Sequence, residues 1–169
     1  MQYGCIGEKL GHSFSAEIHA MLGSHPYELR ELEQADLPAF LEKKDFRGIN
    51  VTLPYKQAVI PFLDEIDPAA REIGAVNTIV NRGGRLCGYN TDFYGLKTLL
   101  EAIGVPLRGK TVAILGTGGT SLTACAVAKA MGAGEILRVS RRAGENRIPY
   151  ADFYRDHAAR VQILINTTP

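Results

Sequence analysis

Hydrophobic residues fall in short runs along this chain, some continuous or alternating as in strands and others recurring at a helical turn. Up to about Arg82 the runs predict strands over Gln2–Ile6, Tyr27–Leu32, Gly48–Leu53 and Asn77–Asn81, with helices over Ser15–Leu22, Ala35–Lys43, Tyr55–Phe62 and Pro68–Ile73. Strands alternating with helices imply an α/β layer architecture with a mostly parallel sheet. Gly83-Gly84, between Val80-Asn81-Arg82 and Arg85-Leu86-Cys87, suits a two-residue hairpin turn, because adjacent glycines take the positive φ angles such a turn needs. This hairpin is expected to place one antiparallel pair at the edge of the sheet.

A helix is predicted over Phe93–Ile103, with Leu96, Leu99, Leu100 and Ile103 on its apolar face, a cap at Asn90, Thr91 or Asp92, and a stop at Gly104. It marks a junction between two domains, 1–92 and 93–169. Beyond it come a continuous apolar strand, Thr111–Leu115, a glycine-rich turn, an alanine-rich helix over Thr120–Met131, a strand over Glu135–Ser140, a short helix near Tyr150–Ala159 and a strand over Val161–Asn166. That order is the βαβαβ first half of a doubly wound, Rossmann-type sheet. With only Thr167-Thr-Pro169 after the last strand, the chain is expected to be C-terminally truncated and to lack the second half.

Composition narrows the functional classes. A chain of 169 residues, 46% hydrophobic, can bury a sizeable core. Its 19 Lys and Arg balance 18 Asp and Glu, so no broad field draws it to nucleic acid or an anionic membrane. Cys5, Cys87 and Cys125 are odd in number and lack a Cys-x-x-Cys spacing, which argues against a disulfide framework and a zinc site. With no basic-then-apolar leader and no apolar run near the roughly 20 residues that span a bilayer, the expected location is the cytoplasm.

Candidate chemistry follows. In Val112-Ala-Ile-Leu-Gly116-Thr117-Gly118-Gly119-Thr120-Ser121 the glycines sit where a strand opens into a helix, so backbone amides and the helix dipole can hold a pyrophosphate. Ser121 stands where the third glycine of the usual spacing would be. At the end of the next strand, where an NAD enzyme usually has an acidic residue for the ribose, the chain reads Ser140-Arg141-Arg142. Paired guanidinium groups suit a 2′-phosphate and favour NADP(H) over NAD. Ser13 and Ser15, at the entry to the first helix, can receive a carboxylate, or either can simply cap the helix. Lys56 closes a strand-turn segment whose other polar members are Asn50 and Thr52; an ordinary role is open to Lys56 as a solvated lysine, to Asn77 in a turn and to Asp92 as a helix cap. Jointly, a lysine and a carboxylate can share proton duty while amides and hydroxyls orient a polyol.

The ordered set Ser13-x-Ser15, Asn50-Val-Thr52-Leu-Pro-x-Lys56, Gly74-Ala-Val-Asn77-Thr78, Asn90-Thr-Asp92-x-x-Gly95, Gly116-x-Gly-Gly119 and Asn166-Thr167-Thr-Pro169 resembles the shikimate dehydrogenase family across essentially the whole chain. The resemblance implies reversible NADPH-dependent reduction of 3-dehydroshikimate to shikimate, a step towards chorismate and the aromatic amino acids. It makes Lys56 and Asp92 the catalytic pair, with Ser13 and Ser15 on the substrate carboxylate and Thr52, Lys56, Asn77 and Asp92 on the ring hydroxyls. It assigns Gly116, Thr117, Gly118, Gly119, Thr120, Ser121, Ser140, Arg141, Arg142 and Thr167 to the cofactor, with no metal. Departures are Ala16 and Ala20, where the family often has Pro and Asn, Thr117 for a typical Ala, and Arg142 for a common Thr. The isolated polypeptide is expected to carry a nearly complete substrate lobe and an impaired hydride-transfer site. Competing readings are a quinate/shikimate dehydrogenase with another substrate or cofactor preference, and a non-catalytic ligand-sensing module. Monomer and homodimer both stay open.

Overall fold

The computed structural model describes residues 1–23 and 25–168, which form two compact units, Met1–Thr91 and Asp92–Pro169. The first contains β1 (Tyr3–Gly7), α1 (Ser15–Leu22), β2 (Glu28–Glu31), α2 (Leu37–Lys43), β3 (Gly48–Val51), β4 (Glu65–Ile66), α3 (Pro68–Ile73), β5 (Thr78–Arg82) and β6 (Arg85–Tyr89). Its six strands lie in the order β2-β1-β3-β5-β6-β4. β1 runs parallel to β2 and β3, and β6 parallel to β4, whereas β5 opposes both its neighbours.

The hairpin turn is at Gly83 and Gly84, with φ 62° and 91°, but the β5–β6 pair is interior and not at the sheet edge. The cause is β4, whose two residues are too few to show any alternation. It docks outside β6, flanked by Asp64 N–H donating to the Leu86 carbonyl (3.0 Å) and Asp67 N–H to that of Gly88 (2.9 Å).

Strand residues Ile6, Ile49, Val51, Ile79 and Leu86 pack with Leu37, Leu41, Tyr55, Val59 and Ala70 in one buried cluster. Each large aliphatic side chain there contributes about 1.5–3 kcal/mol through burial. The predicted helix over Tyr55–Phe62 is instead a run of turns ending in a 3₁₀ turn at Ile60–Phe62. Tyr55 and Val59 are buried as a helical period requires. Pro61 has no N–H to continue the ladder, however, and Ile60 and Phe62 donate back only three residues, to Gln57 and Val59.

Asp64 illustrates how loops are tied into this sheet. Its carboxylate accepts from Leu86 N–H (2.7 Å) and from Lys44 Nζ (3.1 Å), and these bonds hold it below the usual carboxylate range. A carboxylate lowered on folding stabilises the fold above its unfolded pKa, and that contribution disappears as pH falls through the folded value. Asp64→Asn should therefore weaken the fold at neutral pH and flatten the acid limb of its stability profile. Denaturant midpoints measured down the acid range check this, and an unchanged acid limb would refute the assignment.

In the second unit α4 (Asp92–Ala102) precedes β7 (Thr111–Leu115), α5 (Gly119–Ala130), β8 (Glu135–Ser140), β9 (Ile148–Pro149) and β10 (Ile163–Asn166). The sheet order is β10-β7-β8-β9, all parallel. The last strand, β10, lies beside β7, and the two-residue β9 takes the place beside β8. Sequence order alone does not encode on which side a crossover returns.

Leu96 and Leu100 of α4 pack against Val112, Ile114 and Ala128, while Leu99 and Ile103 of the expected apolar face are exposed. The predicted short helix after β9 is one α turn, Tyr150–Asp152, followed by a π turn, Phe153–His157, and a 3₁₀ turn, Ala158–Arg160.

Candidate active site

In the first unit, side chains on neighbouring strands and loops join in one hydrogen-bonded chain. β3 and β5 are paired so that Asn50 faces Thr78, and Asn50 Nδ2 donates to Thr78 Oγ1 (3.2 Å). Thr78 Oγ1 donates to Asn77 Oδ1 (3.1 Å), which also receives Thr91 N–H (2.8 Å), while Asn77 Nδ2 donates to Thr91 Oγ1 (2.9 Å). On the other side Tyr27 Oη donates to Asn50 Oδ1 (2.6 Å). Burial pushes the Tyr27 phenol up, Cys5 adds to the effect, and its hydrogen bond with Ser15 partly offsets it. Ser13 and Ser15 are both half-buried, and Ser13 Oγ accepts Ser15 N–H (3.3 Å). The N-cap position of α1 is Phe14, whose side chain makes no cap bond, so Ser13 serves the first amide of the helix from one residue further out.

Lys56 follows β3 in the turn segment. Its carbonyl accepts Val76 N–H (2.7 Å), and Val51 N–H donates to the Asn77 carbonyl (2.8 Å), so Lys56 and Asn77 are stitched together through the backbone. Lys56 is only 8% exposed. Such burial is unusual for a lysine and is not that of a solvated surface side chain. Burial also raises the Cys5 thiol pKa, an effect that the Lys56 ammonium opposes. Thr52 is partly buried beside the same turn. Asp92 opens α4 in the second unit, where a carboxylate suits the helix dipole.

Tyr27 is a member of this network that sequence reasoning missed, and Thr78 and Thr91 were named there only within a motif and as a possible cap, not as site residues. A tyrosine ahead of a strand and single threonines carry no periodic signal, and only strand register brings them together.

In the second unit Gly116 ends β7 with φ 117°, and α5 begins at Gly119 with Gly118 as its cap. No side chain caps α5, in contrast to α3, where Asp67 Oδ1 receives the amides of Ala69 (3.0 Å) and Ala70 (3.4 Å). The first amides of α5 therefore remain suited to an anion. Ser121 is fully buried and its Oγ donates to the Gly116 carbonyl (2.8 Å); its hydroxyl closes the loop from within. Thr167 acts similarly, its Oγ1 donating to the Leu115 carbonyl behind Gly116. Thr117 and Gly118 are exposed, and Thr120 is partly buried.

Thr117, Ser140, Arg141, Arg142 and Arg147 line a groove of about 470 Å³. Ser140 is buried and its Oγ donates to the Arg142 carbonyl, which braces the loop from below. Among the described residues none of the three arginines forms an ion pair. Arg147 was not anticipated; its sequence signal is the Arg-Arg-x-x-x-x-Arg spacing across turn-forming Gly144 and Asn146. Among the described residues no cluster of three or more His, Cys, Asp or Glu could hold a metal ion, and no helix is long and apolar enough to cross a membrane.

These features can be set beside known proteins. Residues 5–79 match the model of the shikimate dehydrogenase substrate binding domain. The shikimate dehydrogenase (NADP(+)) of Clostridium beijerinckii is 38% identical over 181 aligned positions, which cover 99% of this chain and 67% of that protein. The chain spans about half to two thirds of the length of the curated relatives it matches. Among solved structures, shikimate dehydrogenase 1 from Peptoclostridium difficile superposes with a TM-score of 0.88 at 33% identity, covering 100% of this chain and 68% of that one. Shikimate 5-dehydrogenase from Thermus thermophilus in complex with NADP(H) and shikimate gives 0.81 at 31% identity, covering 99% and 68%. With the glycine loop, the arginine groove and the buried lysine on one polypeptide, and identity above 30% across two thirds of a named relative, this chain belongs to the shikimate dehydrogenase family.

Proposed function

We propose that this chain carries the substrate-binding lobe, residues 1–92, and the NADP-binding region, residues 93–169, of an enzyme that reversibly reduces 3-dehydroshikimate to shikimate with NADPH. The observation that carries this reading is Lys56, a lysine buried at 8% exposure and stitched by the backbone to the segment of Asn77. A buried cation beside amides and hydroxyls is suited to proton transfer at a substrate oxygen. Lys56 delivers the proton to the carbonyl oxygen during reduction and removes it from the hydroxyl in the reverse direction. Asp92 is the second member of the catalytic pair that the family resemblance implies. Ser13 and Ser15 receive the substrate carboxylate, and Thr52 and Asn77 hold ring hydroxyls, with Asn77 itself braced by Thr91.

The residues after β7 and β8 fit a phosphorylated dinucleotide. The α5 amides and Thr117 suit the pyrophosphate, and Arg141 and Arg142 suit a 2′-phosphate, with Ser121, Ser140 and Thr167 bracing these loops. NADPH, when bound, supplies the hydride.

The test is an absorbance assay of the complete gene product, supplied with shikimate or quinate and with NADP⁺ or NAD⁺. Turnover is expected to be fastest with shikimate and NADP⁺. Faster turnover with quinate or NAD⁺ would shift the assignment within the family, and calorimetric binding without any turnover would replace it with a ligand-sensing role.

A further inference from the structure

We infer that Arg147 is a third arm of the nucleotide's 2′-phosphate site and helps this chain discriminate NADP from NAD; the inference rests on the NADP reading above. Arg147 lies beyond the Arg141-Arg142 pair in sequence, yet lines the same groove as both, together with Thr117 from the glycine loop.

The intervening loop explains how it returns. Arg147 N–H donates to the Gly144 carbonyl (3.0 Å), and the two residues form an isolated antiparallel bridge. Asn146 adopts φ 53°, a left-handed conformation that asparagine tolerates well. Gly144 clears the way for the guanidinium: a Cβ there would lie 3.3 Å from Arg147 Nε and 3.4 Å from its Cζ. At the opposite end, the Ser140 hydroxyl fixes the Arg142 carbonyl.

The loop thus turns back so that three guanidinium groups border one groove, with no ion pair among the described residues to neutralise them. A phosphate dianion has enough acceptor oxygens to engage several forked donors at once. A bare 2′-hydroxyl offers them no charge to bind. Arg147 should therefore add affinity only for the phosphorylated nucleotide.

Calorimetric titration of the complete gene product with 2′,5′-ADP and with 5′-AMP separates these contributions, because the two ligands differ by the 2′-phosphate alone. Arg147→Ala should weaken 2′,5′-ADP roughly tenfold to a hundredfold, the range of a hydrogen bond between charged groups, and leave 5′-AMP unchanged. Arg147→Lys should fall between, since it keeps the charge and loses the fork. Equal weakening of both ligands, or native affinity for 2′,5′-ADP in Arg147→Ala, would overturn the inference. If Arg141→Ala loses the preference while Arg147→Ala keeps it, only the role of Arg147 fails. If the native protein shows no preference for 2′,5′-ADP, the NADP reading fails with it.

Discussion

Replacing Lys56 by alanine is expected to lower turnover by about 10²–10⁴-fold, the usual contribution of a positioned acid–base group, while NADPH still binds. The two effects separate because the residues proposed to bind the cofactor lie in the second unit, whereas Lys56 belongs to the first. The bond that secures the Lys56 segment uses its backbone carbonyl, with Val76 N–H as donor at 2.7 Å, so it survives the substitution. Lys56→Met, which keeps most of the aliphatic volume, controls for lost packing and should be as inactive as the alanine variant. Steady-state rates with shikimate and NADP⁺, alongside fluorescence titration with NADPH, make the comparison. Robust turnover in either variant would remove Lys56 from the chemistry.

Gly116→Ala is expected to damage both the fold of the second unit and its nucleotide site. Gly116 holds φ 117°, a region costing a residue with a Cβ about 1–3 kcal/mol. The added Cβ would also lie 2.6 Å from Thr167 Oγ1, the atom anchored on the Leu115 carbonyl. Strain and collision can be distinguished. Thr167→Ala in the Gly116→Ala background removes the colliding oxygen and should recover part of the stability, leaving the backbone cost. Denaturant unfolding and NADPH titration of both single variants and the double variant measure the two parts. Were the double variant simply the sum of the singles, Gly116 and Thr167 would not be coupled as the geometry requires.

Much of this architecture could be read from the residues, and the failures share physical causes. α1 was legible because Ser15–Leu22 has helical spacing and stops before Gly23, which takes φ 68°. The hairpin was legible because two glycines in succession specify their turn. Tyr55–Phe62 misled because Tyr55 and Val59 have true helical spacing while Pro61 denies the backbone its ladder. β4 and β9, two residues each, fall below the length at which any period exists.

At the candidate site, residue types and order pointed to Lys56, Asn77 and the arginine pair. They did not reveal that Ser121 and Ser140 turn their hydroxyls inward, that Tyr27 joins the Ser15 and Asn50 segments, or that Arg147 returns to the groove. Those facts depend on strand register and loop path, which pair residues far apart in sequence.

Strand placement also governs how the sheets meet other strands. β2, outermost in its sheet, carries Glu28, Arg30 and Glu31, all exposed, and charge along an edge discourages strand addition. The opposite edge, β4, is only two residues long. In the second sheet β9 ends in Pro149, which has no N–H to donate. At these three sheet margins, charge, shortness or a proline therefore limits pairing with another strand.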